Sequence, residues 1–176
     1  MSKQLRELIL LRHAKSDWKE PGLPDIERPI SDKGKKSACK ISNWLTQNNV
    51  LPDLVWVSPA KRAQQTLKRL NLPKDIPVET QTLLYLASTD QLKSLLSKIP
   101  AQFGRVMLIG HNPGFEKLMR QLMATDDPTK PELFPTASLA HFILPHEWQD
   151  ISTGDAKLIN FIRPKDITLA SCKETS

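Results

Sequence analysis

The stretch Leu5-Arg6-Glu7-Leu8-Ile9-Leu10-Leu11-Arg12-His13 decides the fold. The run from Leu8 to Leu11 leaves no polar face, the pattern of a strand buried on both sides in a parallel sheet. It ends abruptly on Arg12 and His13, a charged exit from an apolar strand. Working outward, the same figure recurs. Leu54–Val57 reads as a second short strand and Arg105–Ile109 as a third, with Pro77–Glu79 as a further short strand. Between them lie segments of helical spacing. One starts at Ser31 or Asp32 and carries Ala38, Ile41, Trp44 and Leu45, with Gly34 weakening its first turn. Ser58-Pro59 supplies an N-cap and a first-turn proline for a helix whose apolar stripe is Ala60, Ala63, Leu67 and Leu70. Ser88-x-x-Gln91 is a capping box ahead of Leu92, Leu95, Leu96 and Ile99. Pro113-Gly114 leads into a helix with Phe115, Leu118, Met119, Leu122 and Met123 inward. Ala140–Leu144 and Leu158–Ile162 look like late strands, with Gly154 in the turn between them. This alternation predicts an α/β protein: a three-layer α/β/α sandwich with a mostly parallel central sheet. Residues 1–164 are expected to form a single domain, and residues 165–176 a loosely held C-terminal tail.

Composition narrows the function. With 176 residues, 39% hydrophobic and 25% charged, the chain can bury a core and is neither disordered nor fibrous. No apolar run approaches the roughly 20 residues of a membrane helix, so no membrane association is expected. Met1–Lys15 lacks the apolar core of a secretory signal, and two cysteines, Cys39 and Cys172, cannot build a disulfide framework. Both points lead to the expectation of a cytoplasmic protein, with Cys39 a half-buried thiol. The net charge of +6 suggests an anionic partner without saying which. The six glycines are not spaced for dinucleotide or Walker loops. Neither cysteine is followed six positions later by the arginine that a thiol-based phosphatase needs. His146-Glu147 lacks the second histidine of a zinc protease motif. His141 and His146, an odd spacing apart on a strand, would point to opposite faces and make a poor metal pair. Lysines 33, 35, 36 and 40 read as a solvated helix face. No lysine cluster is interleaved with stacking aromatics, which argues against nucleic acid.

Open α/β sheets bind ligands outside the carboxyl ends of their strands. Three exits there carry cationic groups: Arg12-His13, the Ser58 to Arg62 turn, and Gly110-His111-Asn112. The N-terminus of the helix after Ser58 adds its backbone N–H groups and dipole. Such groups converging on one crevice suit a phosphoryl dianion, which arginine forks bind bidentately.

The same residues resemble a known family. Leu11-Arg12-His13-Ala14 is similar to the Arg-His-Gly signature of the histidine phosphatase (phosphoglycerate mutase-like) superfamily. Arg28-Pro29-Ile30-Ser31-x-x-Gly34, Val57-Ser58-Pro59-Ala60-x-Arg62-Ala63-x-x-Thr66 and Ile109-Gly110-His111-Asn112-Pro113 resemble its later motifs, in the same order. The short chain without a cap insertion resembles the phosphohistidine phosphatase SixA branch.

The resemblance implies a phosphoglycerate mutase-like fold and a nucleophilic mechanism. His13 would attack phosphorus in line to form a phosphohistidine, which water then hydrolyses. Its other ring nitrogen would donate to a backbone carbonyl and so fix the tautomer. Arg12, Arg62 and His111 would hold the equatorial oxygens, with Arg28 as a further phosphate or substrate contact. No metal or cofactor would be needed. The partner would be a phosphorylated protein carrying phosphohistidine, or a small phosphorylated molecule. A non-catalytic phosphate-binding module is the alternative from another class, although anion binding alone does not need two histidines.

Two departures from the family pattern stand out. Ala14 replaces the signature glycine and fits only where φ is negative. The region between Glu79 and Ser88 holds no well-placed acid, leaving Asp17, Glu79, Asp90 or none as proton donor. A missing acid favours a phosphorylated imidazole, which leaves easily, over an ester, whose alkoxide needs a general acid. Trp18, Lys15 and Lys19 could line the entrance and meet an acidic protein. Trp44 reads as core and Trp148 as a loop residue.

Overall fold

Alternate residues of the first strand, β1 (Arg6–Arg12), go to opposite layers, as the period of two demands. Leu8 and Leu10 enter one core with Leu54, Trp56, Val106 and Leu108. Ile9 and Leu11 enter a second with Val55, Val57, Met107 and Ile109. The computed structural model describes residues 5–124, 133–145 and 147–168. Its other strands are β2 (Leu54–Val57), β3 (Val78–Thr80), β4 (Arg105–Gly110), β5 (Leu139–Leu144) and β6 (Lys157–Ile162). The sheet order is β3-β2-β4-β1-β5-β6. The first four run parallel, while β5 and β6 add an antiparallel edge.

Helices α1 (Asp32–Gln47) and α2 (Lys61–Leu70) cover the second core with Ile41, Leu45, Ala63 and Leu70. Helices α3 (Thr89–Leu96) and α4 (Gly114–Met123) cover the first with Leu92, Leu95, Phe115, Leu118 and Met119. Each such large apolar side chain contributes about 1.5–3 kcal/mol when buried. The three-layer sandwich is therefore built as the apolar pattern predicts.

Local signals resolve in instructive ways. The Ser88–Gln91 capping box forms in both directions. Ser31 caps α1 by accepting from the Gly34 amide at 3.1 Å. Gly34 is needed there: a Cβ would lie 2.4 Å from the Lys15 carbonyl, so only glycine lets α1 approach the exit of β1 so closely. Ser58, in contrast, is not the cap of α2. That helix begins at Lys61 with Ala60 at the N-cap, and Ser58 Oγ accepts from the Ala60 amide at 3.3 Å while lying 2.7 Å from a histidine outside the helix. Trp148 is not a free loop residue but buried in a 3-10 turn, its indole N–H donating to the Phe103 carbonyl at 2.9 Å. Trp44 packs against the second core.

His141 is buried on β5, with Nε2 2.7 Å from Glu7 and Nδ1 3.3 Å from Asn160. It is a satisfied core histidine. His146 lies outside the described residues. Cys39 is disulfide-bonded, which corrects its reading as a thiol and removes one support for a reducing compartment. Cys172 lies outside the described residues. The start of the tail is held: Lys40 donates to the carbonyls of Pro164 and Ile167, each at 3.1 Å. No helix among the described residues is long and apolar enough to cross a membrane.

Candidate active site

The sheet register assembles the site. Arg12 pairs with Gly110, and Val57 with Ile109, so β1, β4 and β2 end level with one another. The ladder runs on past them: the His13 amide donates to the Gly110 carbonyl at 3.0 Å and that of Ser58 to Ile109 at 2.9 Å. Three strand exits thus set His13, His111 and Ser58 side by side. The two imidazole centroids are 5.0 Å apart.

His13 is held in one tautomer. Its Nδ1 lies 2.8 Å from the Ala14 carbonyl, which can only accept, so Nδ1 carries the proton and Nε2 keeps its lone pair. Nε2 accepts from Arg62 Nε at 3.3 Å. Ala14, buried and without a positive φ, fits where the signature has glycine. Its amide donates to Thr66 Oγ1 at 2.9 Å, and that hydroxyl donates back to the Arg62 carbonyl at 2.6 Å. Thr66 therefore ties the exit of β1 to the first turns of α2, one reason for the spacing from Ser58 to Thr66.

Arg62 is the hub. Besides His13, its Nη1 donates to the Asp25 carbonyl at 2.5 Å and its Nη2 to Asp25 Oδ2 at 2.8 Å. Nη2 also lies 3.4 Å from His111 Nδ1. On the far side of that ring, Nε2 is 2.7 Å from Ser58 Oγ. Since Arg62 can only donate, His111 Nδ1 is the acceptor and Nε2–H donates to Ser58. Arg12 donates to the Phe134 carbonyl at 2.8 Å, while its Nε is buried without a partner among the described residues.

Burial is the main force on both imidazoles. It pushes His13 down to about 4, helped by Arg62 and Arg12 and opposed by the Ala14 carbonyl and Asp25. It pushes His111 down to about 3, with His13 and Arg62 adding to the effect. Both rings are neutral at physiological pH, which leaves the His13 lone pair available for attack.

A cleft of about 640 Å³ opens on this group, bordered by Arg12, His13, Arg62 and Asp25, and farther out by Trp18 and several basic side chains. His111 does not border it directly; it is buried and meets the group through Arg62 and His13. Nor does Arg28, whose guanidinium stacks 3.5 Å from the Trp18 ring centroid. Arg28 Nε and Nη1 are buried and unpaired among the described residues.

The three acids that the sequence offers as proton donors lie elsewhere. Asp17 accepts from the Lys19 amide at 2.9 Å as a turn cap. Glu79 accepts from the Trp56 indole at 3.0 Å. Asp90 sits in the first turn of α3. None of them borders the cleft, but Asp25 does. It arrives on a 3-10 turn (Asp25–Glu27) in the loop between β1 and α1, which closes on itself through a Ser16–Ile30 bridge and is tied to α2 by the Ile30 amide donating to Gln65. Tyr85, from the very segment that lacks an acid, donates its hydroxyl to Asp25 Oδ2 at 2.7 Å. Burial raises the Asp25 carboxyl, but Tyr85 and Arg62 outweigh it and hold the group below its usual value, hence ionised. Sequence reasoning missed Asp25, Tyr85 and Ser58. The signal for Ser58, a serine one residue past a strand end, is the same one that predicts a helix cap.

A fold with a parallel sheet, two neutral histidines and two arginines at its carboxyl edge defines a class. The chain belongs to the histidine phosphatase superfamily, whose branch 1 model matches residues 8–128. Among similar proteins, an uncharacterized protein of Mycobacterium tuberculosis is 29% identical over 161 residues, covering 88% of this chain and 100% of its own. A protein of Agrobacterium tumefaciens assigned as phosphohistidine phosphatase SixA superposes with TM-score 0.79 at 28% identity, over 90% of this chain and 98% of its own. The protein histidine phosphatase SixA complexed with tungstate shares the fold at TM-score 0.74 and 23% identity, over 92% and 99% of the two chains. Family and neighbours together support a phosphatase.

Proposed function

We propose that this phosphatase removes the phosphoryl group from phosphohistidine in a protein, through a covalent intermediate on His13. The observation that carries the reading is the pinned His13 ring, with Nδ1–H on the Ala14 carbonyl and the Nε2 lone pair toward Arg62. His13 Nε2 forms a bond to phosphorus as the bond from phosphorus to the substrate imidazole breaks. The electron pair leaves on that imidazole nitrogen, which takes a proton from solvent water at the open cleft. Water then attacks phosphorus, the N–P bond returns its pair to His13, and inorganic phosphate departs.

Arg12 and Arg62 carry the charge of the equatorial oxygens, where it gathers in the transition state. The incoming phosphoryl group takes Arg62 from Asp25. His111 then turns its Nδ1–H to an oxygen, its Nε2 accepting from the Ser58 hydroxyl in exchange. Arg28, stacked on Trp18 and outside the cleft lining, acts on the substrate through that indole and through its charge on Asp25 and not by direct contact. No metal or cofactor enters these steps.

A second reading has a specific observation behind it. Once Arg62 is taken from it, Asp25 stands beside a dianion, and like charge raises its carboxyl toward protonation. Asp25 is then able to protonate an alkoxide, so a small phosphate ester gains weight as a substrate, and the apparent lack of an acid no longer argues for phosphohistidine. The open cleft and the SixA-like neighbours still favour the protein substrate.

Steady-state assays comparing a histidine-phosphorylated protein domain with a panel of alkyl and aryl phosphates test the choice. A kcat/KM at least 100-fold higher for the domain supports the first reading, and the reverse ranking supports the second. Tight, salt-sensitive DNA binding without any hydrolysis would replace both with a binding module.

A further inference from the structure

The cleft holds more positive charge than a phosphoryl group uses. Arg12 and Arg62 match a dianion, and both histidines are neutral. Beyond them the same cleft is lined by Lys15, Lys33, Arg163 and Lys165. Arg163 is paired with Asp166, at 2.6 and 3.1 Å. Lys15, Lys33 and Lys165 are exposed and make no ion pair within 4 Å among the described residues, although Lys165 stands next to Asp166; the one acid in the lining, Asp25, is held by Arg62.

The rim is a built feature. Lys33 stands in the first turn of α1. Lys165 rides on the 3-10 turn Pro164–Asp166, which Lys40 of the same helix clamps through the carbonyls of Pro164 and Ile167. Lys15 lies three residues past the end of β1, and its carbonyl accepts from the Ser31 amide at 2.8 Å. Three separate, tethered segments thus each bring a lysine to the lining of one opening. Trp18, 69% exposed and stacked by Arg28, lines the same opening.

We infer that this rim docks carboxylates of the substrate protein, which presents acidic side chains next to its phosphorylated residue. The inference rests on the reading of a protein substrate and deepens it. The chemistry of the rim selects this occupant over a second phosphate in a small molecule. A compact dianion calls for converging arginine forks or a nest of backbone amides. Exposed lysines on three segments are hydrated point charges spread around an opening, suited to dispersed carboxylates on a larger surface. The rigid, exposed indole adds an apolar anchor of the kind that protein interfaces use.

Two peptides of equal length test it, both phosphorylated on a central histidine, one with acidic flanks and one with the same flanks as amides. The wild-type enzyme and the Lys33→Glu/Lys165→Glu variant are compared, each normalised to its own turnover of p-nitrophenyl phosphate. The wild type should favour the acidic peptide about tenfold in kcat/KM at low salt, the sum of a few exposed ion pairs, with the preference shrinking as salt rises. The variant should lose or invert it. In parallel, the unphosphorylated acidic peptide should inhibit wild-type p-nitrophenyl phosphate turnover more strongly than its amide counterpart, and the variant should erase that difference. If the inhibition pattern holds while neither phosphopeptide is hydrolysed, the phosphohistidine reading falls and the acidic docking rim stands. Equal behaviour of acidic and amide peptides toward the wild type in both assays overturns the rim, as does a preference that survives the double charge reversal.

Discussion

Ser58 Oγ lies 2.7 Å from His111 Nε2, at full burial, while the opposite ring nitrogen lies 3.4 Å from Arg62. A hydroxyl can donate or accept, so Ser58 allows His111 to exchange tautomers as the pocket fills without leaving a buried nitrogen unpaired. Ser58→Ala leaves one ring nitrogen without a partner, a cost of about 1–3 kcal/mol. The expected result is a fall in kcat/KM of about tenfold or more with the fold retained, checked by steady-state kinetics alongside thermal unfolding. Unchanged kinetics would remove Ser58 from the site.

Asp25 holds Arg62 in the free enzyme and, for an ester substrate, is placed to protonate the leaving alkoxide. Asp25→Asn should have two opposite effects. Inorganic phosphate should bind more tightly, because a carboxylate no longer competes for the guanidinium, and its inhibition constant reports this. Alkyl phosphate turnover should fall about 10²-fold, the low end of what general acids contribute. Turnover of p-nitrophenyl phosphate, whose leaving group needs little protonation, should fall much less. A uniform loss across substrates would mean that Asp25 only positions Arg62.

Much of this site could be read from the chain because it hangs on strand exits. Arg12, His13 and His111 follow apolar runs that can only be strands, and the sheet register then brings them level. Arg62 follows at a fixed distance past β2. Asp25 could not be found that way. It sits in a loop whose return depends on tertiary ties, the Ser16–Ile30 bridge and the Gln65 contact, that leave no periodic trace. Ser58 misleads for a related reason. Ser-Pro is a strong helix-start signal, but the neighbouring imidazole competed for the hydroxyl, and the helix starts later on Ala60. Gly34 looked like a weak point in α1 and is instead what permits that helix to pack on the exit of β1.

Acid should act on stability before it acts on the nucleophile. The folded values of about 4 for His13 and about 3 for His111 lie below the ordinary value of 6.5. The fold therefore favours the neutral rings. Their contribution is fully present above about pH 6.5. As pH falls through the window from 6.5 to 4, the unfolded chain takes up protons that the folded one refuses. Stability should fall there by up to about 1.4 kcal/mol per pH unit for each ring. Urea titrations across this window check it, and His111→Asn should flatten the slope. In the same window kcat/KM, once corrected for substrate ionisation, should hold nearly level and bend only near pH 4. A bend near 6.5 would contradict a depressed His13.

The charge needed at phosphorus is supplied by Arg12 and Arg62, so prolonged treatment with EDTA should leave kcat/KM unchanged within experimental error. Full loss restored by a divalent cation would require a different mechanism.

The central claim, a phosphoryl group carried on His13 Nε2, is tested most directly by trapping it. Rapid mixing with a histidine-phosphorylated protein, quenching in alkali and peptide mass spectrometry should reveal an acid-labile phosphate on His13 of the wild type. The His13→Ala variant should carry none and should lose turnover toward both the phosphoprotein and p-nitrophenyl phosphate. Full activity in His13→Ala, or a trapped phosphate on His111 instead, would contradict it.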